Sequence, residues 1–258
     1  MSDLVLRETS GGVLTLTLNR PERKNALTHV MYTALGDAID AAGEDRGVRC
    51  ILIQAEGTMF TAGNDLGEFA AVNAGDANVT AGVRGNRLLE ALGRAKKPIV
   101  AAVHGHAVGV GLTMLLHCDL VFVAEDAKLS APFVNLGLVP EAAASLTLPA
   151  RIGHARAFAV LALGEVVDGP SAVAWGIANA CVPNAELRAR ARAAAEAVAA
   201  RAPAAMRLTK ALMVDQAAIV ARMAEEGVHF HDQLTKPEVT EAITAFGEKR
   251  APDFSRFD

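Results

Sequence analysis

Three short stretches carry residue types suited to polarising a carbonyl and moving a proton. The first is Met59-Phe60-Thr61-Ala62-Gly63-Asn64-Asp65, just after the apolar run 50–53 and a Gly57 turn. Small residues at 62 and 63 let a ligand approach the main chain closely. A helix opening near Asp65 would aim amide N–H groups at an anion or a polarised carbonyl. Taken alone, the stretch equally describes an ordinary strand-to-helix turn with Asp65 as its N-cap. The second stretch is His104-Gly105-His106-Ala107-Val108-Gly109-Val110-Gly111. It is no dinucleotide fingerprint, because the third glycine would fall at Met114, and no Gly-Lys-Ser/Thr follows to make a P-loop. His104 and His106 lack a third ligand at metal spacing and read as packing residues. What remains is a second backbone donor at the head of a helix. Two such donors on adjacent strands would hold one oxygen that gains charge in a transition state, where losing one donor costs ~10²–10³ in rate. The third stretch is Leu138-Val139-Pro140-Glu141-Ala142-Ala143-Ala144. With a helix starting near Glu141, that carboxylate either complements the helix dipole, worth ~0.3–1 kcal/mol, or is a general base whose pKa an apolar pocket raises.

These stretches need a frame. Residues 13–18 alternate with period two, as a half-buried strand does. Asn19-Arg20-Pro21-Glu22 makes a polar turn, and Thr28 caps a helix with Met31, Leu35, Ala38, Ile39 and Ala42 on one face, ending at Gly43. Residues 50–53, 99–103 and 120–123 read as fully buried strands. Residues 73–82 read as a loop and 83–95 as a helix. Beyond about residue 150 the pattern becomes Ala-rich and helical over 153–163, 185–202, 204–227 and 237–249, broken at Pro203 and Pro237. An α/β core over 1–195 followed by a helical region over 196–258 is the expected organisation, the latter capping the core or building a subunit interface.

Composition sets the outer bounds. The chain has 258 residues, 52% hydrophobic and 21% charged, with formal charge −4 and pI ≈ 6.0. This excludes a disordered chain and argues against a dedicated nucleic-acid binder. Cys50, Cys118 and Cys181 are too widely spaced for a zinc motif. Cys50 and Cys118 lie in apolar runs, as buried thiols do, which fits a reducing compartment. The run from Pro98 to Cys118 has no Asp, Glu, Lys or Arg, but three glycines and three histidines interrupt it. It reads as a buried strand, a glycine turn and a buried helix, with no membrane span. The first residues lack the basic and apolar regions of a signal peptide, so a cytoplasmic protein is expected.

The three stretches, together with Asn19-Arg20-Pro21-Glu22-Arg23-Lys24-Asn25-Ala26-Leu27, Pro132-Phe133-Val134-Asn135-Leu136-Gly137-Leu138, Trp175-Gly176-Ile177-Ala178 and Ala245-Phe246-Gly247-Glu248-Lys249-Arg250, resemble the crotonase superfamily, the enoyl-CoA hydratase/isomerase family, collinearly along the whole chain. The resemblance implies an α/β fold of the ClpP/crotonase type, a spiral of ββα units with a C-terminal helical trimerisation region. It implies a homotrimer or dimer of trimers acting on acyl-CoA without metal or redox cofactor. By position it assigns oxyanion N–H groups to Ala62 and Val110. It places Arg23, Lys24, Ala26, Leu27, Gly63, Asn64, Asp65, Leu66, Gly109 and Phe133 along the substrate path. The departures are chemical. Hydratases of this family carry two glutamates, and Thr113 and Phe133 stand in their places here. Glu141 instead stands where peroxisomal-type Δ3,Δ2-enoyl-CoA isomerases carry their catalytic glutamate. Moving a double bond needs one base, whereas hydration shares its work between two carboxylates. A 3-enoyl-CoA isomerase using Glu141 is therefore the leading expectation. The alternatives are a hydratase or related reaction using Glu141 with Asp65 or Glu68, and a non-catalytic acyl-CoA-binding paralogue. A hydrolase built on Ser145 or Cys118 has no convincing histidine partner in the sequence.

Overall fold

The computed structural model describes residues 4–75 and 86–257. Its main sheet has six strands in the order β1-β2-β3-β4-β6-β9: β1 (Val5–Ser10), β2 (Val13–Leu18), β3 (Cys50–Ala55), β4 (Ile99–Val103), β6 (Leu120–Ala124) and β9 (Ala180–Val182). Only the β1–β2 hairpin is antiparallel, and the remaining pairs are parallel, with Val13 opposite Cys50 and Ile51 opposite Ile99. A second sheet joins β5 (His106–Val108), β7 (Lys128–Ser130) and β8 (Val167–Asp168). This is the expected crotonase-like α/β spiral.

Parallel strands need crossovers, and helices cover both faces of the main sheet. On one face lie α1 (His29–Glu44), α2 (Leu66–Asn73) and α3 (Arg87–Gly93), whose apolar sides form one core with Leu14, Leu16, Ile51, Ile53 and Ile99. On the other lies α8 (Asn184–Ala199), presenting Leu187, Ala191, Ala195 and Ala199 at four-residue spacing to Val13, Cys50, Leu52 and Val100. The half-buried reading of residues 13–18 is corrected here: all six residues of β2 are buried. Its polar positions are covered too, Gln54 donating to Thr17 and Arg192 to Thr15. The expected division at 195/196 falls inside α8, because its alanine stripe packs on the sheet to its last turn.

The charge-free run becomes β4, the β5 turn and only one α-helical turn, α4 (Val110–Thr113), which tightens into a 3₁₀ turn over Met114–His117. Thr28 caps α1 as expected, accepting from the Met31 N–H, and Asn86 caps α3. Of the expected 73–82 loop, Asn73 ends α2; residues 76–82, with 83–85 of the expected next helix, lie outside the described residues. Past residue 140 the helices are α5 (Ala144–Ile152), α6 (His154–Leu163), α7 (Gly169–Ala174), α9 (Pro203–Met213), α10 (Gln216–Leu234) and α11 (Pro237–Glu248). The expected 204–227 helix is thus two, α9 ending where Val214 turns extended and Asp215 caps α10. Leu234 and Val239 bury into the main core with Met223 and Phe230 packed against it, so this region closes over its own chain. Helix α9 leaves Leu208, Leu212 and Met213 exposed. Among the described residues no helix is long and apolar enough to cross a membrane.

Candidate active site

The first donor loop is built by a residue whose role the sequence did not reveal. Asn25 is fully buried in a left-handed conformation (φ 52°). Its amide donates to the Glu56 and Met59 carbonyls and accepts the Arg20 N–H, while Thr61 Oγ1 donates to the Asn25 carbonyl at 2.7 Å. The turn 20–27 is thereby tied to loop 59–65. That loop is tied in turn to β5: Thr61 N–H donates to the His106 carbonyl and Val108 N–H to the Thr61 carbonyl. The approach requires glycine twice. A Cβ on Gly63 (φ +90°) would lie 2.9 Å from the Val108 carbonyl oxygen, and one on Gly111 would lie 2.5 Å from Thr61 Cγ2.

The unbonded N–H groups fall differently from the expected pair. The Ala62 N–H is spent on the Lys24 carbonyl at 2.9 Å. This corrects its assignment as an oxyanion donor, because in this loop alternate residues pair with the 20–27 turn. Leu27 N–H donates to the Gly63 carbonyl and Asp65 N–H to the Leu27 carbonyl, so the N–H of Asn64 between them makes no main-chain bond among the described residues. Val110 opens α4 behind Gly109, so its N–H has no carbonyl in its own helix to bond.

The base candidate sits in a turn held by side chains. Glu141 is not in a helix, correcting the expected first-turn position: α5 starts at Ala144, after Ala142 (φ 61°) and Ala143 (φ 55°), both left-handed. Such non-glycine conformations persist only when their surroundings enforce them. Here His117 Nε2–H donates to the Ala142 carbonyl at 2.7 Å, and Glu226 of α10 accepts the Ser145 N–H at 2.9 Å. Thr113 Oγ1, three residues past Val110, donates to Glu141 Oε1 at 2.6 Å. Burial raises the Glu141 carboxyl to about 7; the Thr113 bond opposes this and the Glu226 charge adds to it. The carboxyl therefore changes charge near neutral pH, as a general base should.

Glu141 lines a cavity of about 600 Å³ with Asn64, Phe69, Leu89, Met223 and Phe230. Phe230 meets Phe69 and Phe133 edge to face, at 5.9 and 6.4 Å between centroids. Phe133 is buried in this aromatic wall rather than lining the cavity. Arg23 and Lys24 are exposed, Ala26 is partly buried and Leu27 is buried beneath the donor loop. Leu66 is half-buried against the core, and Gly109 turns the chain into α4 with its N–H on the Ser130 carbonyl. Phe230, Tyr32 and Asn86 shape the site without a motif to announce them. Tyr32 is buried and its hydroxyl donates to Asn64 Oδ1.

The other carboxylates are committed. Asp65 caps α2 through the Gly67 N–H and pairs with Arg20 at 2.7 Å. Burial would raise its pKa, but the Arg20 and Gly67 bonds outweigh this and hold it below the usual range. Glu68 accepts the His29 N–H at 2.9 Å. His104 Nε2 donates to the Gly57 carbonyl, and His106 is exposed on β5. The Cys118 thiol, pushed up to about 12 by burial, is no thiolate nucleophile.

A family model described as enoyl-CoA hydratase/isomerase matches residues 8–256. The chain belongs to the enoyl-CoA hydratase/isomerase family, whose members act on CoA thioesters. It is 33% identical over 245 residues to a Bacillus subtilis protein named "Probable enoyl-CoA hydratase", covering 94% of this chain and 95% of that one. It is 34% identical over 180 residues to the 1,2-epoxyphenylacetyl-CoA isomerase of Escherichia coli, covering 69% of each. Among solved structures it is similar to an enoyl-CoA hydratase/isomerase from Pseudoalteromonas atlantica, with TM-score 0.90 and 40% identity over 98% of this chain and 100% of that one.

Proposed function

We propose that this enzyme is a Δ3,Δ2-enoyl-CoA isomerase with Glu141 as its single acid–base group. The observation that carries the reading is that, among the described residues, Glu141 is the one buried carboxyl lining the cavity. The thioester oxygen accepts from the Asn64 and Val110 N–H groups. Ionised Glu141 removes a proton from C2, and the electron pair delocalises into a dienolate whose oxygen those donors stabilise. The same carboxyl then delivers the proton to C4, leaving the 2,3 double bond conjugated with the thioester. The apolar wall around Phe133 and Phe230 keeps water from C3. Arg23 and Lys24, exposed on the 20–27 turn, supply positive charge for the phosphates of CoA, and the chemistry calls on no metal or redox group.

The names of relatives favour the hydratase alternative. Hydration requires a second carboxyl, however, and the two candidates for it are held by Arg20 and by the start of α1. Incubating the protein with 3-enoyl-CoA and with crotonyl-CoA in D₂O separates the two. A rising conjugated-thioester absorbance is the expected result, with deuterium at C2 or C4 to the extent that the Glu141 proton exchanges with solvent, and a 3-hydroxyacyl product as the main outcome would overturn the proposal. Glu141→Gln should lower kcat by ~10²–10⁴ with a smaller change in KM. Turnover at the wild-type rate would remove Glu141 from the role.

A further inference from the structure

Helix α10 carries apolar residues toward the core at Ile219, Met223, Phe230 and Leu234, and one acid, Glu226, lies in that same stripe. Met223 packs so tightly on α3 that a Cβ on Gly93 would lie 2.9 Å from its sulfur. The acid sits about one turn on from Met223, and it is 6% exposed. One of its oxygens accepts the Ser145 N–H, and the other, also buried, has no partner among the described residues. A buried carboxyl with half its hydrogen-bonding capacity unused is costly unless it serves a purpose. Burial raises its pKa, against the opposing influence of the Ser145 and Ala143 groups and the Arg222 charge, so it shares with Glu141 a reluctance to ionise.

We infer that Glu226 is a positioning residue for the proton transfer at Glu141: it fixes the left-handed turn that carries the base and sets a second carboxyl on the helix that walls the same cavity. This rests on Glu141 being the base. The first function follows from the chain path. The Ser145 N–H belongs to the first turn of α5, immediately after Ala142 and Ala143, and Glu226 holds this end of the turn while His117 holds its middle. The second function follows from like-charge repulsion, which disfavours ionising both carboxyls. The surrounding groups are Thr113 and Tyr32 on the core side, Arg222 and Glu225 on α10, Glu90 within α3 and Arg94 at its C-cap, and His231 and Asp232 at the end of α10. Arg222 is turned to Glu225 at 3.4 Å, and both are partly exposed. The C-terminal region thereby tunes the base of its own subunit as well as walling the cavity.

Two substitutions separate the functions. Glu226→Gln keeps an oxygen for the Ser145 N–H and removes the charge. The acid limb of kcat/KM against pH should move to lower pH by about 0.5–1 unit, with KM within twofold. Glu226→Ala removes both functions and should also lower kcat about tenfold. A Glu226→Gln enzyme whose acid limb coincides with wild type overturns the inference, and so does a Glu226→Ala enzyme that loses stability alone. The Glu141 titration can also be read without substrate, from protein labelled with ¹³C at glutamate carboxyls, its resonance assigned by loss in Glu141→Gln. That resonance should titrate at lower pH in Glu226→Gln than in wild type, and an unchanged midpoint counts against Glu226. If Glu141→Gln turns over normally, the base assignment fails, yet the same titration still decides whether Glu226 acts on Glu141.

Discussion

The two halves of the site are held by opposite means. On the donor side, main-chain hydrogen bonds join loop 59–65 to β5, the buried Asn25 and Thr61 side chains tie the loop to the 20–27 turn, and the close approach depends on the side chains missing at Gly63 and Gly111. On the base side, the Glu141 turn is strained and is held by side chains from three distant places, Thr113, His117 and Glu226. A main-chain donor tolerates any side chain that leaves the path intact, so a valine at position 110 is compatible with the proposed donor role. A side-chain base tolerates no change of its own identity, and its pKa depends on whatever packs over it.

The largest expected effect lies on the base side, the ~10²–10⁴ loss in kcat for Glu141→Gln. The donor side should break differently. Gly63→Ala forces a Cβ against the Val108 carbonyl at φ +90° and should cost about 1–3 kcal/mol in strain. It should also lower kcat about 10²-fold by displacing the Asn64 N–H. Val110→Ala, in the same half, should leave the rate within about threefold, because its donor is main chain, while costing about 1–3 kcal/mol of packing. Thermal melts and initial rates on the three variants check this. A Val110→Ala enzyme as slow as Gly63→Ala would contradict the main-chain account.

The same contrast explains what the sequence made legible. Buried strands and capped helices announce themselves through local periodicity and through Thr28 and Asp65. The donor loops do so through glycines that no other residue can replace. Which N–H stays free is a matter of register, so the N–H without a main-chain partner is that of Asn64 rather than Ala62. Strand β1 was missed because five of its six residues are exposed, and β5, β7 and β8 are too short to carry a period. Glu141 was legible as a residue but not in its turn, because left-handed alanines leave no trace in composition. Glu226 had one signal, an acid in an apolar stripe about 85 positions further along the chain.

Burying ionisable groups on the base side gives stability a pH dependence near neutrality, whereas on the donor side Asp65, held below the usual carboxylate range, adds to that dependence only at acid pH. Glu141 is raised from 4.5 to about 7, so the folded chain keeps a proton that the unfolded chain releases. That contribution is present below 4.5 and is lost as pH rises through 7. His117 is lowered by burial from 6.5 to about 4, so its contribution is present above 6.5 and is lost as pH falls through 4. Each amounts to on the order of 3 kcal/mol, and they oppose one another over pH 4.5–6.5, which flattens the wild-type profile there. Glu141→Gln removes one slope. Denaturant unfolding should find the variant more stable than wild type at pH 8 by up to about 3 kcal/mol, an advantage that shrinks toward pH 5. A pH-independent difference would place the Glu141 carboxyl in water.

The smallest expected effect on stability tests where the two halves meet. Tyr32 donates to the side chain of Asn64, whose main chain is the proposed donor, and its own ionisation is disfavoured first by burial and next by the charge of Glu141. Tyr32→Phe removes one hydrogen bond and little volume, worth about 0.5–1.5 kcal/mol. If Asn64 is steadied mainly by its main-chain neighbours, kcat should fall only three- to tenfold, with KM unchanged. A loss as large as that of Gly63→Ala would mean that the Asn64 N–H is itself placed by a side chain, and the division between the halves would fail.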